Sequence, residues 1–320
     1  MDDIKRKRII SDLADLMQEQ DVCHNQYRAT IDDAQKLTLE RKINDLDNRI
    51  NNLNSQLFSN DLTGDTNRRS RALEDKLPKI DFKKQIKVVR NIFEQLVEDG
   101  AALFLINDSL NMAGDLFRLE LKKILQDETT DLKHYEIAFS IDRRLDAIGF
   151  LQGLGGYLGI DEIKTEEEYL KVIEKFFGFI ENGSVVFIEL RKINLLSNRE
   201  DFFSWLVNCF WRTLVEKLPL YCQNKGIEKV KFMLLVISDT DICREYSKLS
   251  CFCSEIDFDQ YKIVEILLQE WSENDILDWL IRHAGLSRDK SQLIARDIYN
   301  SSRGGIPNNI RNALMSTLSS

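Results

Sequence analysis

Residues 101–116 decide the fold. They read Ala101-Ala102-Leu103-Phe104-Leu105-Ile106, then Asn107-Asp108-Ser109-Leu110-Asn111-Met112-Ala113-Gly114-Asp115-Leu116. The first six form an unbroken apolar run of strand length, the pattern of a strand buried on both faces. Residues 116–125 (Leu-Phe-Arg-Leu-Glu-Leu-Lys-Lys-Ile-Leu) carry the spacing of a helix. Between strand and helix, a phosphate-cradling loop would place a glycine, four residues, then Gly-Lys-Ser/Thr. Set on Gly114, that pattern puts Ser109 at the first glycine, Asp115 at the lysine and Leu116 at the hydroxyl residue. Such a loop needs glycines so that N–H groups can close on phosphate oxygens, and a lysine to neutralise the terminal phosphate. Neither need is met here. Taken alone, the stretch reads equally as an ordinary strand-to-helix turn.

Outward from the loop, strands and helices alternate from Lys79 onward. Strands are expected at 101–106, 135–141, 184–190, 230–237 and 251–256, and helices at 84–97, 115–126, 166–181 and 201–217. Alternation of this kind implies an α/β domain, a mainly parallel sheet covered on both faces. After about residue 260 the pattern turns helical, with runs at 261–271, 274–284, 289–300 and 306–318. These are expected to form a separate helical lid, giving an α/β unit over 79–260 and a lid over 261–320.

Residues 1–77 have a different texture. Ile9, Leu13, Leu16, Gln20, Cys23 and Tyr27 are spaced 4-3-4-3-4, as are Leu39, Ile43, Leu46, Ile50, Leu53 and Leu57. Asp32-Asp33 stands between the two runs as a turn or cap. The spacing predicts a helical hairpin or coiled coil over 1–58, packed along an a/d seam. The row Leu39, Ile43, Leu46, Ile50 and Leu53 is the candidate partner-binding surface. A polar stretch, Ser59-Asn60-Asp61-Leu62-Thr63-Gly64-Asp65-Thr66-Asn67-Arg68-Arg69, follows, and 59–78 reads as a linker.

Composition narrows the class. Of 320 residues, 43% are hydrophobic, enough for a substantial core. No apolar run reaches membrane-spanning length, and Met1-Asp2-Asp3 leads into a basic run with no apolar secretory core. The six cysteines are scattered through apolar segments, the usage of buried thiols in a reducing, cytoplasmic setting. The net charge of −9 speaks against a general nucleic-acid surface.

Three further motifs surround the loop. Val185-Val186-Phe187-Ile188-Glu189 is an apolar strand that ends in an acid, as a magnesium-positioning Walker B strand does, although Leu190 follows where a second acid would stand. Leu234-Leu235-Val236-Ile237-Ser238-Asp239-Thr240-Asp241 is a strand ending in small polar residues; Asp239 and Asp241 could bind a cation, but a turn capping the next helix is the stronger reading. Gly304-Gly305-Ile306-Pro307 opens the last helix, with proline at its first turn.

In this order the four features resemble the STAND branch of AAA+ P-loop ATPases, and specifically the bacterial families described as inactive STAND. The resemblance covers about residues 79–320. It implies a P-loop NTPase-like α/β domain whose sensor strand lies beside the first strand, and a lid whose Gly305-Ile306-Pro307 sits near the site of the nucleotide base. The degenerate site positions are then Ser109, Gly114, Asp115, Leu116, Glu189 and Pro307. With Asp115 in place of the lysine, the expectation is a protein that is not an enzyme and has no catalytic residues and no cofactor. ATP or ADP binding is left open. The hairpin is similar to coiled-coil and effector-associated segments that precede STAND modules in bacterial conflict and signalling proteins. The implied role is a non-catalytic regulatory or scaffold protein, an adaptor or sensor acting through protein–protein contact, with a second copy as one possible partner. The alternative is a nucleotide-binding switch or slow unconventional ATPase; a subunit of a nucleic-acid machine is a third class.

Other stretches are set aside. Gly153-Leu154-Gly155-Gly156-Tyr157-Leu158-Gly159 lacks the dinucleotide-loop spacing and reads as a flexible turn. Cys251 and Cys253, with three histidines in the chain, make no metal set. Lys5-Arg6-Lys7-Arg8 reads as a solvated helix start, with contact to an acidic partner or nucleic acid as the alternative. Trp271 and Trp279 are spaced as helical core.

Overall fold

The computed structural model describes residues 75–96, 99–108, 111–140, 144–238, 251–302 and 304–319. In the amino-terminal part it describes Leu16, Cys23, Gln35, Thr38, Leu39, Lys42, Leu46 and Arg49. The chain divides into two compact units, Met1–Ala72 and Leu73–Leu318.

In the first unit all eight described residues are helical. Leu16, Cys23 and Leu46 are buried, Leu39 is half-buried, and Gln35, Thr38, Lys42 and Arg49 are exposed. Leu16 and Cys23 are seven residues apart, as are Gln35, Lys42 and Arg49. Burial and exposure thus follow the heptad period that the sequence carries. Ile43, Ile50 and Leu53 lie outside the described residues.

The second unit is built on six parallel strands: β1 (Gly100–Asn107), β2 (Leu132–Ala138), β3 (Val185–Arg191), β4 (Lys231–Ser238), β5 (Phe252–Cys253) and β6 (Ile263–Ile266). Their order is β2-β3-β4-β1-β6-β5. The two most apolar strands, β1 and β4, lie side by side at the centre, with Gly100 opposite Lys231 and Asn107 opposite Ser238. Pleating sends alternate side chains of β1 to opposite faces. Ala101, Leu103 and Leu105 enter one core; Ala102, Phe104 and Ile106 enter the other. The sheet is therefore clothed on both sides, as a parallel sheet must be.

The first core is closed by α3 (Ala147–Leu158), α4 (Tyr169–Phe177) and a long helical run. That run comprises α5 (Arg199–Trp205), a π-helical stretch Leu206–Trp211 and α6 (Arg212–Lys225). The second core is closed by α1 (Lys83–Gln95), α2 (Gly114–Glu128), α7 (Glu273–Trp279), α8 (Arg288–Ser301) and α9 (Pro307–Ser319).

The expectation of a parallel α/β fold holds, and several details are corrected. Ile263–Ile266 was expected in a helix but is strand β6, paired with β1 from Leu103 opposite Ile263 to Ile106 opposite Ile266. Four residues rich in β-branched side chains are ambiguous to periodicity, and the open edge of β1 decides for the strand. Strand β2 begins three residues earlier than expected. The glycine-rich stretch is no turn: Gly153, Gly155 and Gly156 lie within α3, and Gly159 caps it in the left-handed region. A Cβ on Gly153 would stand 2.9 Å from Ile137 of β2, and one on Gly155 2.8 Å from Ile163. The glycines let this helix approach its neighbours closely.

The lid expected over 261–320 is not set apart. Trp271, Ile276, Trp279, Ile298, Ile310 and Leu314 share the second core with Phe104, Ile106 and Phe117. Leu77 and Pro78, expected at the linker end, are already buried in this core. Lys76 ties this entry segment to the lid: Trp279 Nε1 donates to the Lys76 carbonyl (2.8 Å), and Lys76 Nζ donates to the His283 carbonyl (3.4 Å).

Candidate functional site

The loop of residues 107–116 lies at the carboxyl end of β1, beside that of β4, where ligands bind in open parallel sheets. The Asp108 N–H donates to the Ser238 carbonyl (2.7 Å), extending the β1–β4 pairing by one bond. Ala113 holds φ at 52°, and this left-handed residue turns the chain into α2. Leu116 and Phe117 N–H both return to the Ala113 carbonyl, at 3.0 and 3.4 Å. Leu116 and Phe117 are buried in the second core, which fixes the helix and hence its first turn.

The first turn of a helix presents unpaired N–H groups and a partial positive charge. Here the chain brings its own carboxylate to that end. The Gly114 N–H donates to Asp108 Oδ1 at 2.8 Å. A Cβ on Gly114 would overlap the Asp108 carboxylate, so the group is seated directly against the glycine. One residue on, Asp115 Oδ2 accepts from Arg311 Nη1 of α9 at 2.8 Å. The Asn308 N–H, at the start of the same lid helix, donates to the Asn111 carbonyl at 3.0 Å. Pro307 is buried at the first position of α9, and Gly305 (φ 95°) packs on the Trp271 backbone, whose N–H donates to its carbonyl (2.9 Å).

Glu189 lies on β3 with its side chain 4% exposed. Oε2 accepts from Arg118 Nη1 of α2 at 3.2 Å, and Oε1 is 2.9 Å from His134 Nε2 on β2. Lys122 Nζ stands 3.1 Å from the other ring nitrogen of His134. An ammonium can only donate, so Nδ1 accepts and Nε2 carries the hydrogen donated to Glu189. Burial works to raise the Glu189 pKa. The His134 hydrogen bond and the Arg118 charge outweigh it and hold the carboxyl below its ordinary value.

Of the candidate positions, Gly114, Asp115 and Leu116 thus form the first turn of α2. Pro307 is brought to the loop through Asn308, and Glu189 is tied to α2 through Arg118. Ser109 lies outside the described residues, as do Asp239 and Asp241. Asp108, Arg118, His134 and Arg311 were not singled out in the sequence. Arg118 carried a signal, one helical turn beyond Asp115; Arg311 is 196 positions away from its partner and carried none. Among the described residues no group of three or more His, Cys, Asp or Glu is placed to hold a metal. A depression of about 610 Å³, lined in part by Asp99, Asp259 and Tyr261, lies at the amino end of β1, away from the loop. The described cysteines are free thiols. No helix among the described residues is long and apolar enough to cross a membrane.

Comparison with known proteins finds two family matches. The family described as inactive STAND matches residues 77–238, and effector-associated domain 9 matches residues 1–60. Among curated proteins nothing matches the chain. Among solved structures it is similar to Cdc6p of Pyrobaculum aerophilum, at 15% identity and a TM-score of 0.46, over 73% of this chain and 62% of that one. It is also similar to the ORC1 protein of Aeropyrum pernix, solved in complex with DNA, at 12% identity, TM-score 0.39, over 73% and 59%. A Walker-type ATPase of Pyrococcus abyssi is similar at 10% identity, TM-score 0.39, over 73% and 67%. The chain spans about three fifths of the length of the first two. Likeness at this level carries no activity over to this chain.

Proposed function

We propose that this chain, which belongs to the inactive STAND family, is a regulatory protein that hydrolyses no nucleotide and acts by taking up protein partners, as an adaptor or sensor in a bacterial defence or signalling system. One observation carries the reading. In the alignment on Gly114, Asp115 occupies the place of the lysine that would meet a terminal phosphate, and its charge is met by Arg311 of the chain itself. On this reading the loop is a degenerate Walker A, and Glu189 is engaged by Arg118 and His134 instead of holding magnesium. A conformational equilibrium in such a protein is biased by a partner with different affinities for its two states, not by nucleotide turnover.

The match of residues 1–60 to an effector-associated domain supports partner uptake through the amino-terminal helices. We assign it to the row Leu39, Ile43, Leu46, Ile50 and Leu53. Leu46 is buried already, so an incoming helix lies alongside that residue and not over it. Replacing Ile43 and Ile50 by Asp abolishes partner capture and leaves the Leu73–Leu318 unit folded, whereas Lys42→Glu with Arg49→Glu on the exposed face retains capture. Capture undiminished in the Ile43/Ile50 variant removes the row from the interface.

A nucleotide-binding switch is the second reading, and Arg118 and Arg311 favour it because they bring cations beside the loop. Calorimetry with ATP and ADP, with and without magnesium, separates the two. No heat at micromolar to millimolar nucleotide is expected; turnover would sink the non-catalytic reading, and micromolar binding without turnover would favour the switch.

A further inference from the structure

A free helix amino terminus is an anion seat, because its N–H groups and partial charge favour negative ligands. In this chain the seat at α2 is filled from within. The Asp108 carboxylate bonds the Gly114 N–H at 2.8 Å and lies so close that no Cβ would fit between them. It is held there by its own backbone, whose N–H is tied to Ser238 at the end of β4. The next carboxylate along, Asp115, faces outward from the same turn and takes Arg311 of the lid helix α9 at 2.8 Å. A third contact, Asn308 N–H to the Asn111 carbonyl at 3.0 Å, adds a bond that depends on no charge.

These contacts have a common direction. Asp108 joins the loop to the start of α2, while Asp115 and Asn111 join loop and α2 to the start of α9. Apolar packing continues behind them, with Ile310 and Leu314 of α9 in one core with Leu116 and Phe117 of α2. Lid and loop therefore meet directly, through charges and bonds that the chain supplies.

We propose that Asp115 and Arg311 form a nucleotide-independent clasp that holds the start of α9 on the α2 loop, while the Asp108 carboxylate takes the place of a bound anion at the first turn of α2. Release then comes from whatever competes for Arg311 or pulls α9 away, and not from exchange of a nucleotide. The clasp is graded, not absolute. Asp115 and Arg311 have side chains 42% and 34% exposed, so their pairing is screened and its contribution is that of a surface pair.

The test is hydrogen exchange on the full chain, read at peptides from α9 (307–319) and, as a control, from β3 (185–191). In the wild type, exchange in α9 is expected to be the same with and without Mg-ADP. Arg311→Ala and Asp115→Asn should each raise α9 exchange about two- to fivefold, the range of an exposed ion pair, with β3 unchanged. The exchanged pair Asp115→Arg with Arg311→Asp should return most of the protection, which a merely structural role of either residue would not. One molar salt should raise wild-type exchange at α9 and leave Arg311→Ala unaffected. A wild-type lid that tightens with Mg-ADP, or single variants indistinguishable from wild type, would overturn the clasp. The outcome is separable from that of the proposed function. Nucleotide turnover that leaves α9 unchanged refutes the non-catalytic reading alone, and an inert Arg311→Ala refutes the clasp alone.

Discussion

Removing the carboxylate of Glu189 tests what that residue does. Its side chain is 4% exposed and its ion partner Arg118 15% exposed, so the pair is well shielded from water. Glu189→Ala deletes the acceptor of both the Arg118 and the His134 bonds. Arg118 suffers more, since its Nε is buried and has no partner among the described residues. Taking one partner from a buried ion pair costs about 3–5 kcal/mol, mostly because the remaining charge is stranded. For a unit of about 150–250 residues, each kcal/mol moves the melting temperature by about 2–4 °C, so the variant should melt about 6–20 °C lower. Glu189→Gln keeps an oxygen for the His134 hydrogen but loses the charge, and should cost about half as much. Urea unfolding followed by tryptophan fluorescence reads both. The pH dependence follows from the sign of the shift. The Glu189 pKa lies lower in the folded chain than in the unfolded one, so its contribution is complete above the ordinary carboxylate value of 4.5 and is lost as pH falls through the depressed one. Glu189→Gln removes that part of the acid limb. Two variants that both stay within about 1 kcal/mol of wild type would refute the reasoning and return Glu189 to the status of a free ligand.

Two further perturbations probe the lid and the core. Gly305 has φ 95° and would thrust a Cβ into the Trp271 carbonyl, whereas Gly304 has φ 92° with open space around it. Gly305→Ala should therefore cost about 2 kcal/mol or more in urea unfolding and Gly304→Ala about 1 kcal/mol; equal costs would mean that backbone strain alone matters. The Cys222 thiol is pushed up to about 12, first by burial and then by the Asp99 charge. Its native thiolate fraction near neutral pH falls about a thousandfold, so a thiol reagent at pH 8 should leave Cys222 unmodified until the chain unfolds. Peptide mapping of modified native protein that finds Cys222 labelled would contradict this.

The long apolar runs of β1, β3 and β4 placed the α/β class within reach of the sequence, because a parallel strand buried on both faces must be apolar throughout. The same reasoning failed at Ile263–Ile266. Four residues, three of them apolar, are too few to show a period, and only the unfilled edge of β1 makes them a strand. Glycines in α3 looked like a turn because helix propensity disfavours them; what retains them is contact with Ile137 and Ile163, which no local rule contains. The heptad of the first unit, by contrast, is local, and burial of Leu16, Cys23 and Leu46 follows it.

At the loop the division is sharper. Sequence by itself determined that a strand, a Gly114 turn and a helix follow one another, with Asp115 next after the glycine. Residue type and spacing along one segment are enough for that. It could not say what Asp115 meets, because Arg311 arrives from the last helix and ion pairing acts through space. Nor could it say that Asp108 folds back onto the Gly114 N–H, since that depends on a left-handed Ala113 and on the bond that fixes Asp108 to β4. The residue types of the loop were legible in the chain, and the pairing of its charges was set by the packing of α9 against α2.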